Sequence, residues 1–128
     1  MLVIRSFREL DVYKLALKES TVVFKLTQGF PKEERYALID QIRRSSRAVN
    51  ALLAESWARR RYPAAFVNKV NESLGEAMET HAWLDHALAC GYITAVQHRE
   101  LDNAWQHVGA MLNRMIQCAG DFCKSAST

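Results

Sequence analysis

The stretch VNKVNESLGEAMETHAWLDHAL, residues 67–88, carries an apolar seam along one side of a predicted helix. Its inward positions follow alternating steps of three and four residues: Val67, Val70, Leu74, Ala77, His81, Leu84 and Leu88. This rhythm is typical of helices that pack at a shallow angle in a left-handed bundle. A later segment repeats it with Leu101, Ala104, Val108, Met111, Met115 and Phe122. This half of the chain therefore predicts two long helices of a four-helix bundle.

Boundary signals divide the whole chain into four helical segments. They are Ser6 with Glu9, Gly29, Pro31, Tyr62 with Pro63, Gly91, and Thr94 with Gln97. The Ser/Glu and Thr/Gln pairs have the spacing of capping boxes, the glycines suit left-handed helix ends, and the prolines suit first turns. The predicted helices span about 7–28, 31–60, 63–90 and 95–124. We expect an all-α fold, an up-down-up-down four-helix bundle in one domain over residues 1–128.

The first predicted helix carries apolar residues on two sides. One stripe holds Leu10, Tyr13, Leu17, Phe24 and Thr27, and the other holds Val12, Ala16, Val23 and Leu26. A helix in a small bundle needs only one buried stripe, and a second one would leave an exposed patch typical of an interface. We therefore predict a homo-oligomer. The alternative is a monomer whose neighbouring helices cover both stripes.

Composition narrows the class of protein. With 49% hydrophobic and 24% charged residues, the 128-residue chain has the balance of a globular protein. It has no apolar run long enough for a transmembrane helix or signal peptide, so we expect no membrane association. Three scattered cysteines suit free thiols in a reducing compartment, which predicts a cytoplasmic protein.

Positive charge is concentrated in the second predicted helix and the turns around it. Residues 31–62 hold eight basic and four acidic residues, against a net charge of +3 for the whole chain. Guanidinium groups bind phosphate oxygens in pairs of hydrogen bonds, so a nucleic-acid surface is one interpretation. The candidate contacts are Arg43, Arg47, Arg59, Arg60 and Arg61. A solvated face, or a basic helix packed beside an acidic one, is the alternative, because no aromatic residues are interleaved as stacking platforms.

A second polar group on the same helix predicts a structural role. Gln41, Arg44 and Glu55 lie on one face with two alanines between them, which would let a partner helix approach. Arg44 and Glu55 are about 16 Å apart by helical rise, so they cannot pair with each other. Three glutamates of the third helix are candidate partners for Arg44: Glu72, Glu76 and Glu79. We interpret Gln41, Arg44, Glu55 and Glu76 as a structural polar joint.

Catalytic and metal-binding interpretations have little support. No glutamate is followed three residues later by histidine, which argues against the di-iron site of ferritin-like bundles. His86 and Cys90 are one turn apart, but two ligands do not complete a zinc site. His81 is expected in the core, and no histidine has a nucleophilic partner at a telling spacing. No enzyme, cofactor or metal is predicted.

Several segments together resemble a known bacterial family. They are SFRELDVYKLALK (6–18), FPKEERYALIDQIRRSS (30–46), AES (54–56) and ETHAWLDHALACGYI (79–93). Residues 6 to about 118 resemble the four-helix bundle proteins associated with intervening sequences in large-subunit ribosomal RNA genes. Pro31, Glu34, Leu38, Gln41 and Arg44 match the family's Phe-Pro-x-x-Glu-x-x-x-Leu and Gln-x-x-Arg pattern. A following run resembling Pro-x-Asn-Ile-Ala-Glu-Gly is changed here to Asn50, Leu52 and Ser56 at its proline, asparagine and glycine positions.

The resemblance implies an up-down bundle that assembles into a homopentameric ring. The family is similar to the accessory protein of diversity-generating retroelements, a basic pentamer that binds a reverse transcriptase and nucleic acid. The resemblance to this family implies no enzymatic activity. Together, these observations predict a non-enzymatic oligomeric bundle that binds RNA or DNA through its arginines. The alternative is a scaffold that binds a protein partner and no nucleic acid.

Overall fold

Five α-helices and two 3-10 turns make up residues 4–123, the part of the chain that the computed structural model describes. The long helices are α1 (Asp11–Thr27), α2 (Leu38–Ala58), α3 (Pro63–Ala89) and α4 (Ala95–Gln117), followed by a short α5 (Ala119–Phe122). The 3-10 turns cover Phe7–Glu9 and Lys32–Glu34. Residues 4–123 contain no strand, so the predicted all-α class is confirmed.

The four long helices pack as a bundle in which each contacts two neighbours. Helix α1 lies against α2 and α4, and α3 also lies against α2 and α4, while the backbones of the diagonal pairs stay more than 8 Å apart within residues 4–123. Contacts between α2 and α3 run in opposite sequence directions, with Arg44 beside Glu79 and Glu55 beside Lys69. Each successive helix therefore reverses direction. The ring-like assembly stays a prediction, because the structure contains a single chain.

Small hydroxyl side chains let α2 and α3 approach closely. The Oγ of Ser45 lies 2.9 Å from the Oγ1 of Thr80, and Ser73 donates to the carbonyl of Val49 at 2.9 Å. All three hydroxyl side chains are buried, and each has a hydrogen-bond partner, as buried polar groups require. The α2–α3 pair is accordingly the most extensive helix contact of the bundle.

Most of the boundary signals act as the sequence predicts. Ser6 and Thr94 both form complete capping boxes, and Gly91 adopts the left-handed backbone with φ of 75° at the end of α3. The expectation for Gly29 is wrong, since Gly91 is the only residue in the described range with positive φ. After α1, the chain continues in a right-handed turn in which the amide of Phe30 donates to the carbonyl of Thr27 at 3.1 Å. Burial of the Phe30 side chain accounts for this path.

Three helix ends differ from the predicted bounds. Residues 7–9 form a 3-10 turn, and extended Leu10 separates it from α1. The second helix begins at Leu38 instead of 31, because Ala37 has a non-helical backbone (φ −123°, ψ −104°). The fourth ends at Gln117, and α5 turns the Phe122 ring onto Phe66 with centroids 6.1 Å apart. Residue 124, the predicted end of the fourth helix, lies outside the described residues.

Neighbouring helices cover most of the apolar surface of α1. Fully buried positions come from both predicted stripes: Leu10, Val12, Ala16, Val23 and Thr27. Leu26 and Tyr13 pack partly against the core, and Phe24 is half-buried. Leu17 is 51% exposed and Val22 is 39% exposed, and they are the large apolar side chains that α1 leaves in water. The sequence argument for self-association is therefore weaker than two full stripes suggested.

Candidate nucleic-acid interface

Helices α1 and α2, which pack side by side, carry five cations that we call together the α1–α2 basic face. Its members are Lys14, Lys18 and Lys25 on α1, and Arg43 and Arg47 on α2. Lys14 and Lys18 are one helical turn apart and Lys25 lies two turns further, so all three project from the same side of α1. The lysines are exposed and line a shallow hollow of about 400 Å³ together with Leu17, Thr21 and Val22.

The ring of Phe24 connects the two arginines to α1. The guanidinium carbon of Arg43 lies 4.7 Å from the ring centroid and that of Arg47 lies 5.5 Å from it. Arg43 also donates from Nε to Thr27 Oγ1 at 2.8 Å and from Nη2 to the carbonyl of Phe24 at 3.4 Å. Arg43 is therefore half-buried and held on α1, whereas Arg47 stays exposed.

The α1–α2 basic face is not neutralised by the chain's own carboxylates. Within residues 4–123, the side-chain ion pairs formed by cations involve Arg44, Lys69, His81 and His98, and none of the five cations of this face. Charge without an internal partner attracts anions from solution, and it does so most strongly at low ionic strength.

The other three candidate arginines lie elsewhere, at the turn between α2 and α3. Arg59 is twelve residues beyond Arg47, about 18 Å along the helix. Arg60 folds back over the Trp57 ring, 3.8 Å from its centroid, and its Nε donates to the Trp57 carbonyl at 2.9 Å. Burial there lowers the pKa of Arg60. Arg59 and Arg61 remain exposed, so the five predicted contacts form two groups instead of one arc.

Arg44 faces the opposite edge of α2 and pairs with glutamates of α3. Its Nη2 lies 2.6 Å from Glu79 Oε1, and its Nη1 lies 3.5 Å from Glu76 Oε1. Burial raises the pKa of Glu76, and the adjacent Glu79 raises it further, while Arg44 opposes both effects. The Arg44 side chain is itself 54% exposed, so this cluster lies at the rim of the helix pair.

The remaining members of the predicted polar joint line the same edge. Glu55 lies 3.6 Å from Lys69, which also approaches Glu72 at 3.2 Å. Gln41 is exposed and borders a small hollow with Glu34 and Trp83. The helix that docks beside Arg44 and Glu55 is thus α3 of the same chain, which carries the glutamates predicted as partners of Arg44.

The lysines of the α1–α2 basic face were not predicted, because paired hydrogen bonds to phosphate point to arginine and not to lysine. The spacing of these lysines indicates that they share one side of α1, because steps of four and seven residues return to the same side of a helix. That side lies opposite the buried Val12 and Ala16. The contribution of Phe24 had no such signal, because its pairing with Arg43 joins positions in different helices.

Histidine–aspartate pairs bridge α3 and α4. Nδ1 of His81 lies 2.6 Å from Asp102, and Nε2 of His98 lies 2.8 Å from Asp85. His81, expected in the core, is half-buried. No three histidine, cysteine or acidic side chains converge on a possible metal position in the described part of the chain. Across residues 4–123, the helices are too short or too polar to cross a lipid bilayer.

Residues 8–114 match the family described as 23S rRNA-intervening sequence protein. The chain belongs to this family. Among solved structures, a protein of unknown function from the S23 ribosomal protein family of Bacteroides thetaiotaomicron is similar, with a TM-score of 0.74 and 26% identity. The match covers 83% of this chain and 95% of that one. A search of curated proteins gives no match.

In this member of the intervening-sequence protein family, two of the three positions expected to depart from the family pattern make polar contacts. Asn50 donates from Nδ2 to the carbonyl of Tyr13 at 3.3 Å, which ties α2 to α1. Ser56 is fully buried and donates to the carbonyl of Leu53 at 2.7 Å, within its own helix. Leu52 is half-buried beside them. The departures from the family pattern are thus accommodated without a break in α2.

Proposed function

We propose that this family member is a non-enzymatic nucleic-acid-binding protein that contacts RNA phosphates with the α1–α2 basic face. The observation that carries the proposal is the absence of carboxylate partners for all five cations of this face within residues 4–123. Each cation that neutralises a phosphate releases a bound counterion, and that release drives binding without reading sequence.

The members of the face differ in what they contribute. Lys14, Lys18 and Lys25 are flexible point charges that adapt to a variable backbone. Arg47 is exposed to solvent, whereas Arg43 donates hydrogen bonds from two of its nitrogens to α1. Lysines and Arg47 therefore supply most of the phosphate contacts, and Arg43 chiefly fixes the position of the face.

We propose further that the protein self-associates, as the family resemblance implies with its homopentameric ring. An exposed strip on the outer side of α3 supports this, because it carries no charge: Asn68, Asn71, Gly75, Met78 and Ala82. Met78 is 61% exposed. A second copy on this strip would contact mainly uncharged side chains and would leave the α1–α2 basic face open. Repeating that face around a ring raises avidity without improving any single contact.

The salt dependence of RNA binding tests the phosphate-binding proposal. Fluorescence anisotropy with a labelled RNA duplex is measured across a series of salt concentrations for the parent chain and for Lys18→Gln/Arg47→Gln. The slope of log K against log salt is expected to fall in magnitude by about 1.8, or about 0.9 for each lost contact. The matched control is Arg99→Gln/Arg114→Gln, which removes the same charge from α4 and should leave the slope near that of the parent.

Two outcomes would contradict the proposal. Equal slopes in both double variants would mean that the net charge of the protein, and not this face, determines the salt dependence of RNA binding. Absence of RNA binding by the parent at low salt would leave the protein-binding scaffold as the better interpretation. Light scattering on the parent and on Met78→Lys tests self-association separately, and a parent of one-chain mass would end that part of the proposal.

A further inference from the structure

An exposed tyrosine stands beside the second group of arginines. Tyr62 is 64% exposed at the turn between α2 and α3. The aromatic pairs and cation–π contacts found among residues 4–123 do not include it, so no aromatic ring or cation of this range occupies a face of the Tyr62 ring. The exposed part of the ring can therefore accept a planar group from outside.

The backbone holds Tyr62 in place from both sides. Its amide donates to the carbonyl of Arg59 at 2.9 Å, and its own carbonyl accepts from the amide of Phe66 at 2.9 Å. Pro63, the first residue of α3, restricts Tyr62 to an extended backbone, observed at φ −119° and ψ 95°. Phe66 is fully buried, which anchors this first turn in the core. The ring is therefore presented from a rigid support, and binding would order little backbone.

Two exposed arginines, Arg59 and Arg61, flank Tyr62 in this turn, and no acidic residue is close in sequence. Arg59 and Arg61 are exposed, and the turn bond brings the Arg59 backbone within about 7 Å of Tyr62. Arg60 is turned away onto Trp57, so it supports the turn instead of covering the tyrosine. No aspartate or glutamate occurs between Glu55 and Glu72.

We infer that residues 59–62 form a binding site for single-stranded nucleic acid, in which an unpaired base stacks on Tyr62 and flanking phosphates contact Arg59 and Arg61. This inference rests on the proposed function and names the substrate class that it leaves open. Bases in a duplex are already stacked on each other and cannot reach a side chain, whereas unpaired bases stack on exposed aromatic rings regardless of sequence. A duplex would use only the charges of this turn.

Tyr36 provides a matched control within the same chain. It is 82% exposed at the opposite end of α2, so it resembles Tyr62 in accessibility. Its surroundings differ, because Glu33 and Glu34 offset Lys32 and Arg35 in sequence. The Arg35 guanidinium also lies over its ring, 5.8 Å from the centroid. Loss of Tyr36 should therefore cost no affinity for single strands.

The test compares a short single-stranded oligoribonucleotide with the duplex formed from it and its complement. Anisotropy titrations at fixed salt are carried out on the parent, Tyr62→Ala, Tyr62→Phe and Tyr36→Ala, with a thermal unfolding curve for each. Tyr62→Ala is expected to weaken single-strand binding about tenfold and to leave duplex binding unchanged. Tyr62→Phe keeps the ring and should bind like the parent, as should Tyr36→Ala.

The failures of the two proposals are distinguishable. If the parent binds both RNAs in a salt-dependent way and Tyr62→Ala binds single strands as well as the parent does, the stacking site is wrong and the basic face stands. Equal weakening by Tyr62→Ala and Tyr36→Ala would also overturn the stacking site. If the parent binds neither RNA, both proposals fail together.

Discussion

Arg43 and Arg44 are consecutive residues of α2, yet they belong to opposite kinds of surface. Arg43 lies against α1, where it packs on the Phe24 ring and donates to Thr27. Arg44 lies against α3, where it meets two carboxylates. A rotation of about 100° between neighbouring residues is enough to separate them onto different edges of the helix. The Arg43 guanidinium contacts an aromatic ring and neutral oxygens, whereas the Arg44 guanidinium contacts carboxylates.

The contrast extends to the surfaces as a whole. Along the α2–α3 edge, Arg44 and Lys69 share four carboxylates: Glu55, Glu72, Glu76 and Glu79. Along the α1–α2 basic face, none of the five cations pairs with a carboxylate of residues 4–123. The first surface holds two helices of the bundle together with its charges paired, and the second keeps unpaired charge for an outside anion. A basic residue that already pairs with an internal carboxylate is therefore a poorer candidate for binding an outside anion than one that does not.

The largest expected effect breaks the support of the α1–α2 basic face. Phe24→Ala removes a half-buried ring that packs under both arginines, and it should lower the free energy of unfolding by about 2 kcal/mol. Urea unfolding followed by circular dichroism measures this as a lower midpoint. Leu17→Ala is the control, because Leu17 is more than half exposed on the same helix. Equal losses from the two variants would mean that the Phe24 ring is not a structural support.

A smaller effect sharpens the comparison between the two adjacent arginines. Arg43→Ala loses the packing of its aliphatic stem and two hydrogen bonds, so it should cost about 1.5 kcal/mol of stability. Arg44→Ala should cost about 0.5 kcal/mol or less, because its ion pairs are exposed and screened. Unfolding curves at low and high salt separate the contributions, since only the Arg44 loss should shrink with salt. The reverse ranking would restore Arg44 as the structural arginine.

That ranking inverts the roles predicted from the sequence, and the reason is physical. Helical periodicity places Arg44 toward α3, and the resulting pairs with Glu76 and Glu79 were among the predicted candidates. Periodicity does not reveal how deeply an edge residue is buried. The exposure of Arg44 and the burial of Arg43 depend on where α1 and α3 lie, which is a property of the packed bundle.

The same limit separates what could be predicted of the fold from what could not. Apolar spacing in residues 67–88 and the two capping boxes identified the helices, because those signals act within a few residues. The early end of α4 needed the stacking of Phe122 on Phe66, which joins distant segments. The burial of most apolar side chains of α1 also depends on the neighbouring helices. Local patterns thus predict elements, while exposure and pairing at their edges require the assembled structure.

The smallest expected effect concerns Glu76, on the neutralised α2–α3 edge. Burial and the nearby Glu79 raise the pKa of Glu76 above its ordinary value, so the folded protein binds its proton more tightly than the unfolded chain does. Its contribution to stability is then fully present below the ordinary glutamate pKa and is lost as pH rises through the raised one.

Glu76→Gln removes this loss and leaves the Arg44–Glu79 pair in place. At neutral pH, the variant should be within about 0.5 kcal/mol of the parent, and the difference between them should shift in favour of the parent as pH falls toward 4.5. Because Arg44 lowers the pKa of Glu76, Arg44→Gln should move the loss to higher pH. Chemical unfolding across this pH range measures both shifts, and parallel stability profiles for the parent and Glu76→Gln would show that Glu76 titrates alike in the folded and unfolded states.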